Sequence, residues 1–252
     1  MIQGLYAAAS GMLAVEDQQA VIANNIANAS TPGFKRQNTV NEGFYTLFLK
    51  SSESAAMLDM QKGPGGGVRS GGAYSDFSNG VIAVTGDPFN VGLMGPGFLT
   101  VGTDRGERYT RDGRFATDAD GQLATLEGAK VLSDAGDPID VSGGIVEFDP
   151  AGNVLVNGAV VGKLAVVEFD EPTRLQREGD GLYVAPDGME PRTGEEGTTT
   201  VVPGALETAN VQLPYEMTQM MVGMRAYGAY QRVINSADET MSRLIDQVAM
   251  PA

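Results

Sequence analysis

Two helix-forming ends enclose a glycine-punctuated middle, and that division limits the folds open to this chain. Residues 23–36 read Ala-Asn-Asn-Ile-Ala-Asn-Ala-Ser-Thr-Pro-Gly-Phe-Lys-Arg, and residues 206–211 read Leu-Glu-Thr-Ala-Asn-Val ahead of a long helical pattern. Helices so far apart in sequence must find one another, or find partners on other chains, before either can bury an apolar face.

The first helix is predicted over residues 2–29. Ile2, Leu5, Ala9, Met12, Glu16, Gln19, Ala23 and Ile26 follow an alternating spacing of three and four, and Ala8, Val15 and Ile22 run beside them seven residues apart. The stripe is broad but weakly apolar. Gly4 and Gly11 each weaken the helix by about 1 kcal/mol relative to Ala, while permitting close approach by another helix. Pro32-Gly33 stops the pattern, because proline disfavours helical geometry in Thr31 and glycine permits a turn. Asn24, Asn25 and Asn28 are poor helix formers in the last turns. Their amides bond either water, the adjoining backbone or a facing chain.

Residues 34–60 read as either helical or extended, with Phe44, Tyr45, Leu47, Phe48 and Leu49 as a dense apolar cluster. Residues 61–75 are glycine-rich and read as a loop or linker. From 77 to 203 the period changes. Val81–Thr85, Phe98–Val101, Gln122–Thr125, Ile139–Val141, Ile145–Phe148, Asn153–Val156 and Val160–Phe169 read as strands. Asn79-Gly80, Asp112-Gly113, Asp120-Gly121, Asn157-Gly158, Asp180-Gly181 and Asp187-Gly188 read as tight turns between them. The pattern predicts an antiparallel domain of hairpins that folds without its flanks, followed by a loop over 186–200.

Residues 214–248 carry the strongest helix signal. Met217, Met220, Met224, Tyr227, Gln231, Ile234, Asp238, Met241, Ile245 and Val248 occupy the core positions of about five heptads, and eight of the ten are apolar. Pro214 suits the first turn. At ~50 Å the helix is long for the interior of a single domain, and a methionine-rich seam adapts to inequivalent neighbours.

Composition narrows the chemistry. The 252 residues carry a net charge of −15, which argues against nucleic acid or an anionic membrane as partner. No Cys, His or Trp is present, so there is no disulfide framework, no thiolate nucleophile and no imidazole base or ligand. No apolar run approaches the length of a membrane helix, and no ordinary secretory signal is expected. Gly63–Gly72 lacks the Gly-Lys-Ser/Thr of a phosphate loop. Asp118-Ala119-Asp120-Gly121 resembles the start of a calcium loop, but the remaining ligands are missing and a hairpin turn is favoured. Arg105, Arg108, Arg111 and Arg114 form a local basic cluster, read as a solvated or interface face.

Four separated blocks resemble the bacterial flagellar rod and hook family of axial proteins, specifically the basal-body rod proteins. They are Ala23–Asn28 with Thr31–Lys35; Gly97–Val101, Tyr109–Phe115 and Asp120–Leu123; Leu206–Val211; and Met217–Met221 with Arg225–Tyr227 and Ala237–Glu239. Ala29–Pro32 and Gln231–Ile234 are more similar to the proximal than to the distal rod type. The resemblance implies an α+β chain whose long terminal helices pack as a coiled-coil-like pair. Residues 1–33 and 206–252 would form the helical assembly domain, 34–76 a linker or extended region with a glycine-rich loop, and 77–205 a central antiparallel β-domain.

The implied role is a structural rod subunit rather than an enzyme, without cofactor or metal. Copies would stack helically with one another and with other rod and hook axial proteins around an export channel, transmitting torque. Export would run through the flagellar type III apparatus to a periplasmic rod, without membrane insertion. Assembly would rest on Ile2, Leu5, Met12, Val15, Ile22, Asn24, Asn25, Ile26, Asn28, Thr31, Gly33 and Phe34. At the other end it would rest on Leu206, Glu207, Asn210, Val211, Met217, Met220, Met224, Tyr227, Ile234, Met241, Ile245 and Val248. Two other classes remain open at this point: a secreted acidic carbohydrate hydrolase, which needs a pair of carboxylates in a cleft, and an adhesin-like binding module.

Overall fold

The computed structural model describes residues 2–43, 67–193 and 198–248. The apolar cluster at Phe44–Leu49 lies outside the described residues, as do the side chains of Ile2, Ile245 and Val248. Helix α1 spans Ile2–Ala27 and helix α2 spans Leu213–Val248. Eighteen strands lie between them among the described residues, and the pairings among the third to the eighteenth are antiparallel. The fold is therefore α+β. No helix is long and apolar enough to cross a membrane among the described residues.

The chain divides into two compact units. One comprises Met1–Ala27, Gln37–Tyr74 and Gln212–Ala252; the other comprises Asn28–Arg36 and Ser75–Val211. In the helical unit α1 and α2 pack against each other in antiparallel sense. A Cβ on Gly11 would stand 2.7 Å from the Tyr230 ring, and one on Gly223 would stand 3.2 Å from the Gln19 amide. The residues buried in α1 (Ala8, Gly11, Ala14, Ile22, Asn25) are spaced by three and eight, which keeps them on one inward face of the helix. The same unit holds strand β1 (Gln37–Gly43), which pairs with β2 (Val68–Ser75). Here the structure corrects the sequence reading of 61–75 as a loop: its described part from Val68 is a strand. Glycine composition suggested flexibility, but Gly71 and Gly72 are tolerated within an extended pair.

In the β-unit, β3 (Ile82–Val84), β4 (Val91–Met94), β5 (Phe98–Thr103) and β6 (Gly106–Thr110) come first. They are followed by β7 (Phe115–Thr117), β8 (Leu123–Thr125) and β9 (Lys130–Val131). Then come β10 (Val146–Phe148), β11 (Asn153–Val156), β12 (Ala159–Lys163) and β13 (Val166–Glu168). The last are β14 (Gln176–Gly179), β15 (Leu182–Val184), β16 (Arg192–Thr193), β17 (Thr200–Pro203) and β18 (Ala205–Glu207). The largest sheet runs β14-β15-β6-β5-β9-β8-β7, with β13 also on β5 and β16 on β13. β10-β11-β12 form a three-stranded meander, β17 pairs with β4, and β18 pairs with β3. Leu93, Leu99, Val101, Leu123, Val131 and Val154 are fully buried at the centre of the main core. A second, aromatic core joins Phe98, Tyr109, Phe169 and Tyr183 edge-to-face.

Two departures from the predicted strands have simple causes. Ile139–Val141 is held by single bridges only, although Ile139 and Val141 are buried in the core. The predicted strand 160–169 is broken at Leu164, and its second part joins β5. Of the six predicted turns, Asn157-Gly158 and Asp180-Gly181 place both residues at positive φ between adjacent strands, as a two-residue hairpin demands. At Asp120-Gly121 only the glycine has positive φ, and Asp118 Oδ1 accepts from the Asp120 and Gln122 amides, so this stretch is a turn as favoured. Gly80 and Gly113 are different: neither has positive φ. A Cβ on Gly113 would lie 1.7 Å from the Val91 carbonyl oxygen, and one on Gly80 1.9 Å from that of Thr208. Both serve close backbone approach rather than turn geometry. Gly113→Ala is expected to destabilise the β-unit by about 3 kcal/mol, near the upper end of overpacking effects. The midpoint of denaturant unfolding measures it, and an unchanged midpoint refutes the assignment.

Candidate functional site

The two sequence blocks that mark the chain's ends meet inside the β-unit. Gly33 has φ of +67°, and a Cβ there would stand 2.4 Å from the Arg111 backbone carbonyl, so only glycine makes the turn. The Gly33 amide donates to the Glu207 carbonyl at 2.8 Å. Phe34 is buried beneath the Arg177 guanidinium, 4.3 Å from its ring centroid. Asn210 Oδ1 accepts from the Arg36 amide at 2.7 Å, while its Nδ2 donates to the carbonyls of Asp76 and Ser78. The incoming stretch 33–36 and the outgoing stretch 206–210 are thus stitched to each other and to 76–81.

At the centre of this junction is a buried charge cluster. Glu207 Oε1 accepts from Lys35 Nζ at 2.6 Å and from the Gly80 amide at 2.6 Å, and Glu207 Oε2 accepts from Arg111 Nη1 at 3.3 Å. Lys35, Arg111 and Glu207 are each only 1% exposed. Lys35 also donates to the Ser78 carbonyl at 2.9 Å, and Arg111 lies over the Phe98 ring at 4.9 Å. Two cations therefore share one carboxylate out of water. Burial pushes the Lys35 ammonium below its ordinary value of 10.5, the Arg111 charge pushes the same way, and Glu207 opposes both. Burial likewise lowers Arg111, again against the pull of Glu207.

The four predicted arginines do not make one basic face, and this corrects the sequence reading. Arg105 and Arg108 both bind Glu178 at the surface, and their hydrogen bonds hold its carboxyl at about 2. Arg114 is bonded to Asp112 at 2.6 Å, and Arg111 is in the core. In an extended chain residues three apart point to opposite faces, so arginines at that spacing do not line one face.

In the helical unit, Asn25 is buried, which resolves where its amide goes. Its Nδ2 donates to the Gln37 carbonyl at 2.8 Å, and its Oδ1 accepts from the Gln37 amide at 2.9 Å. Glu216, also fully buried, receives a longer contact from Asn25 Nδ2 at 3.4 Å. Asn28 accepts from the Thr31 hydroxyl at 3.4 Å, in the β-unit. Asn24 is exposed.

The other predicted positions divide by burial. Ile22 is buried; Leu5, Met12, Val15, Ile26, Thr31, Leu206, Val211, Met220 and Ile234 are half-buried. Met217, Met224, Tyr227 and Met241 are exposed. The face of α2 turned inward runs through Glu216, Gly223, Ala226, Tyr230 and Ala237, offset by about one residue from the predicted heptad track. Sequence reasoning named Glu207 but missed Lys35, Arg111 and Glu216. The available signal was position: Lys35 and Arg111 both sit inside motif blocks, two residues from a glycine.

Breaking a buried ion pair from one side leaves an uncompensated charge, at about 3–5 kcal/mol. Glu207→Ala is therefore expected to cost about that much stability. Lys35→Met should cost clearly less, because Arg111 and Glu207 remain as a balanced pair. Between the lowered Lys35 value and 10.5 the unfolded chain binds more protons than the folded one, so this lysine's contribution rises with pH. The stability of the parent minus that of Lys35→Met should increase with pH across that window in denaturant titrations. Equal losses for both variants, or a falling difference, would refute the cluster's charge balance.

Comparison with known proteins matches the same stretches. Residues 5–35 match the family described as Flagella basal body rod protein, and residues 92–156 match the Flagellar hook protein FlgE/F/G D1 domain. Residues 202–247 match the Flagellar basal body rod FlgEFG protein C-terminal family. Lys35, Arg111 and Glu207 thus come one from each matched segment. The flagellar basal-body rod protein FlgF of Caulobacter vibrioides is 30% identical over 250 residues, covering 98% of each chain. FlgG of Buchnera aphidicola subsp. Schizaphis graminum is 29% identical over 97% of this chain and 99% of its own. FlgG of Bacillus subtilis is 29% identical over 98% and 99%. From its first helix through its charge junction to its last helix, the chain belongs to the flagellar basal-body rod protein family.

Proposed function

We propose that the chain is a non-catalytic structural subunit of the flagellar basal-body rod, assembling through its terminal helices with other copies and with other rod and hook axial proteins. The observation that carries this reading is the outward face of α2. Met217, Met221 and Met224 are each more than half exposed, which leaves large apolar side chains for neighbours to cover. A family of rod proteins gives no support to the hydrolase or adhesin-like alternatives.

Several finer points belong to the same proposal. The terminal helices act as a coiled-coil-like assembly domain within 1–33 and 206–252, of which 28–33 and 206–211 pack in the compact β-unit, with 34–76 as an extended region and 77–205 as the β-domain. The assembled helices surround an export channel and transmit torque, the subunit reaches the periplasmic rod through the type III apparatus, and its type is proximal (FlgF) rather than distal (FlgG). Support for the proximal type lies in the residues of 29–32 and 231–234. Relatives of both names align over nearly the whole chain.

Deleting residues 214–248 should abolish incorporation into basal bodies and motility, while the β-unit keeps its cooperative melting. That unit includes 28–36 and 204–211. A fragment cut to 77–203 lacks Lys35 and Glu207, leaves Arg111 buried without its carboxylate and does not test the same thing. Normal incorporation of the deletion variant would sink the proposal.

A further inference from the structure

The helical unit presents two complementary faces on opposite sides. On α1, the inward face is set by Ala8, Gly11, Ala14, Ile22 and Asn25. At 100° per residue, Leu13, Asp17 and Ala20 lie on the far side of the helix from these, with Glu16 flanking them. Leu13 is 64% exposed, and Glu16, Asp17 and Ala20 are exposed as well. On α2, the inward face is set by Glu216, Gly223, Ala226, Tyr230 and Ala237. Met217, Met221 and Met224 lie opposite it, flanked by exposed Arg225 and Arg232.

Charge separates these outer faces cleanly. Helix α1 contains Glu16 and Asp17 and no Lys or Arg at all. Its counterpart on α2 carries Arg225 and Arg232 beside the methionines, with no acidic residue between Met217 and Arg232. Among the described residues none of these four charges takes part in an ion pair within the chain. The antiparallel contacts Gly11 with Tyr230, Gln19 with Gly223 and Asn25 with Glu216 also fix the level of each side chain along the pair. By that register Asp17 stands level with Arg225, and Ala20 with Met221.

We propose that the Met217–Met224 face of α2, with Arg225 and Arg232, docks onto the Leu13–Glu16–Asp17 face of α1 in a second copy of this chain. The proposal rests on the rod-subunit reading and names its partner face. Because the two faces lie on opposite sides of one helix pair, a chain cannot satisfy its own, and two chains cannot satisfy both at once by a two-fold axis through one face. The contact is heterologous, with each copy offering α2 to one neighbour and α1 to the other. Such a contact propagates into an open assembly unless its rotation closes. Little axial offset between copies is needed, since the opposite charges already stand at one level.

The absence of cysteine in the sequence makes the contact directly testable. Full-length chains carrying Ala20→Cys are mixed with full-length chains carrying Met221→Cys under mild oxidation. Heterodimers should exceed dimers of either variant alone by at least about tenfold, because like faces bring like charges together. Adding Asp17→Arg to the first chain, or Arg225→Glu to the second, should lower the heterodimer yield about tenfold, and the two together should restore it. Heterodimers no more abundant than homodimers, or a yield indifferent to both reversals, overturn the proposal. If that happens while deletion of 214–248 still excludes the subunit from basal bodies, the rod-subunit reading stands and only this face pairing fails. If the deletion variant incorporates normally, the reading itself fails.

Discussion

Glu207 is buried away from solvent, and what replaces solvation comes from distant stretches of chain: the Lys35 ammonium, the Arg111 guanidinium and the Gly80 amide. Desolvating three ionic groups is expensive, and their mutual attraction offsets that only when geometry is good and the remaining polar atoms are bonded. Here Lys35 finds the Ser78 carbonyl, whereas Arg111 meets that condition only in part: its guanidinium lies over the Phe98 ring, and its Nε and Nη2 are buried without a hydrogen-bond partner among the described residues. A hydrophobic trio of the same volume would be as stable or more so. What the ionic version adds is exclusivity. The cluster accepts only one register of 33–36 against 206–210, because any slip leaves a buried charge alone. The Gly33 turn on the Arg111 backbone and the Asn210 bridge enforce the same register by sterics and hydrogen bonding.

That junction explains what the sequence made legible and what it hid. Both helices, the hairpin nature of the middle and most strands followed from period and turn chemistry, which are local. The Thr31–Lys35 and Leu206–Val211 blocks stood out as unusual. Their contact with each other did not, since pairing across some 170 residues leaves no periodic trace. Lys35 and Arg111 were hidden for a further reason: lysine and arginine are almost always at the surface, so no residue-level rule buries them. Gly80 and Gly113 show the same limit in another form. Asn-Gly and Asp-Gly signal positive φ, yet these two glycines answer a backbone oxygen arriving from elsewhere in the fold.

Asn25 marks a second place where a polar residue is used for position. An amide that donates to and accepts from one residue's backbone behaves like an extra strand partner for Gln37. Buried at the end of α1, it ties the start of β1 to the helix. The asparagine-rich turn therefore ends a helix and places the following strand, and its cost in helix propensity is offset by two backbone bonds that would otherwise lack partners.

The seam of α2 illustrates how apolar periodicity can be right about the helix and silent about its partner. Heptad counting weights large side chains, so it selects the methionine track. Antiparallel pairing with α1 selects instead Gly223, Ala226 and Ala237, whose small size lets the backbones close, with Tyr230 seated on Gly11. Small residues contribute little to a hydropathy pattern but much to close packing. The large apolar residues are left outward. In a lone soluble chain such a face is a liability. On the assembly role proposed above it is a division of labour: the compact face satisfies the chain's own helix pair, and the adaptable methionine face is left for contacts that no single chain can make.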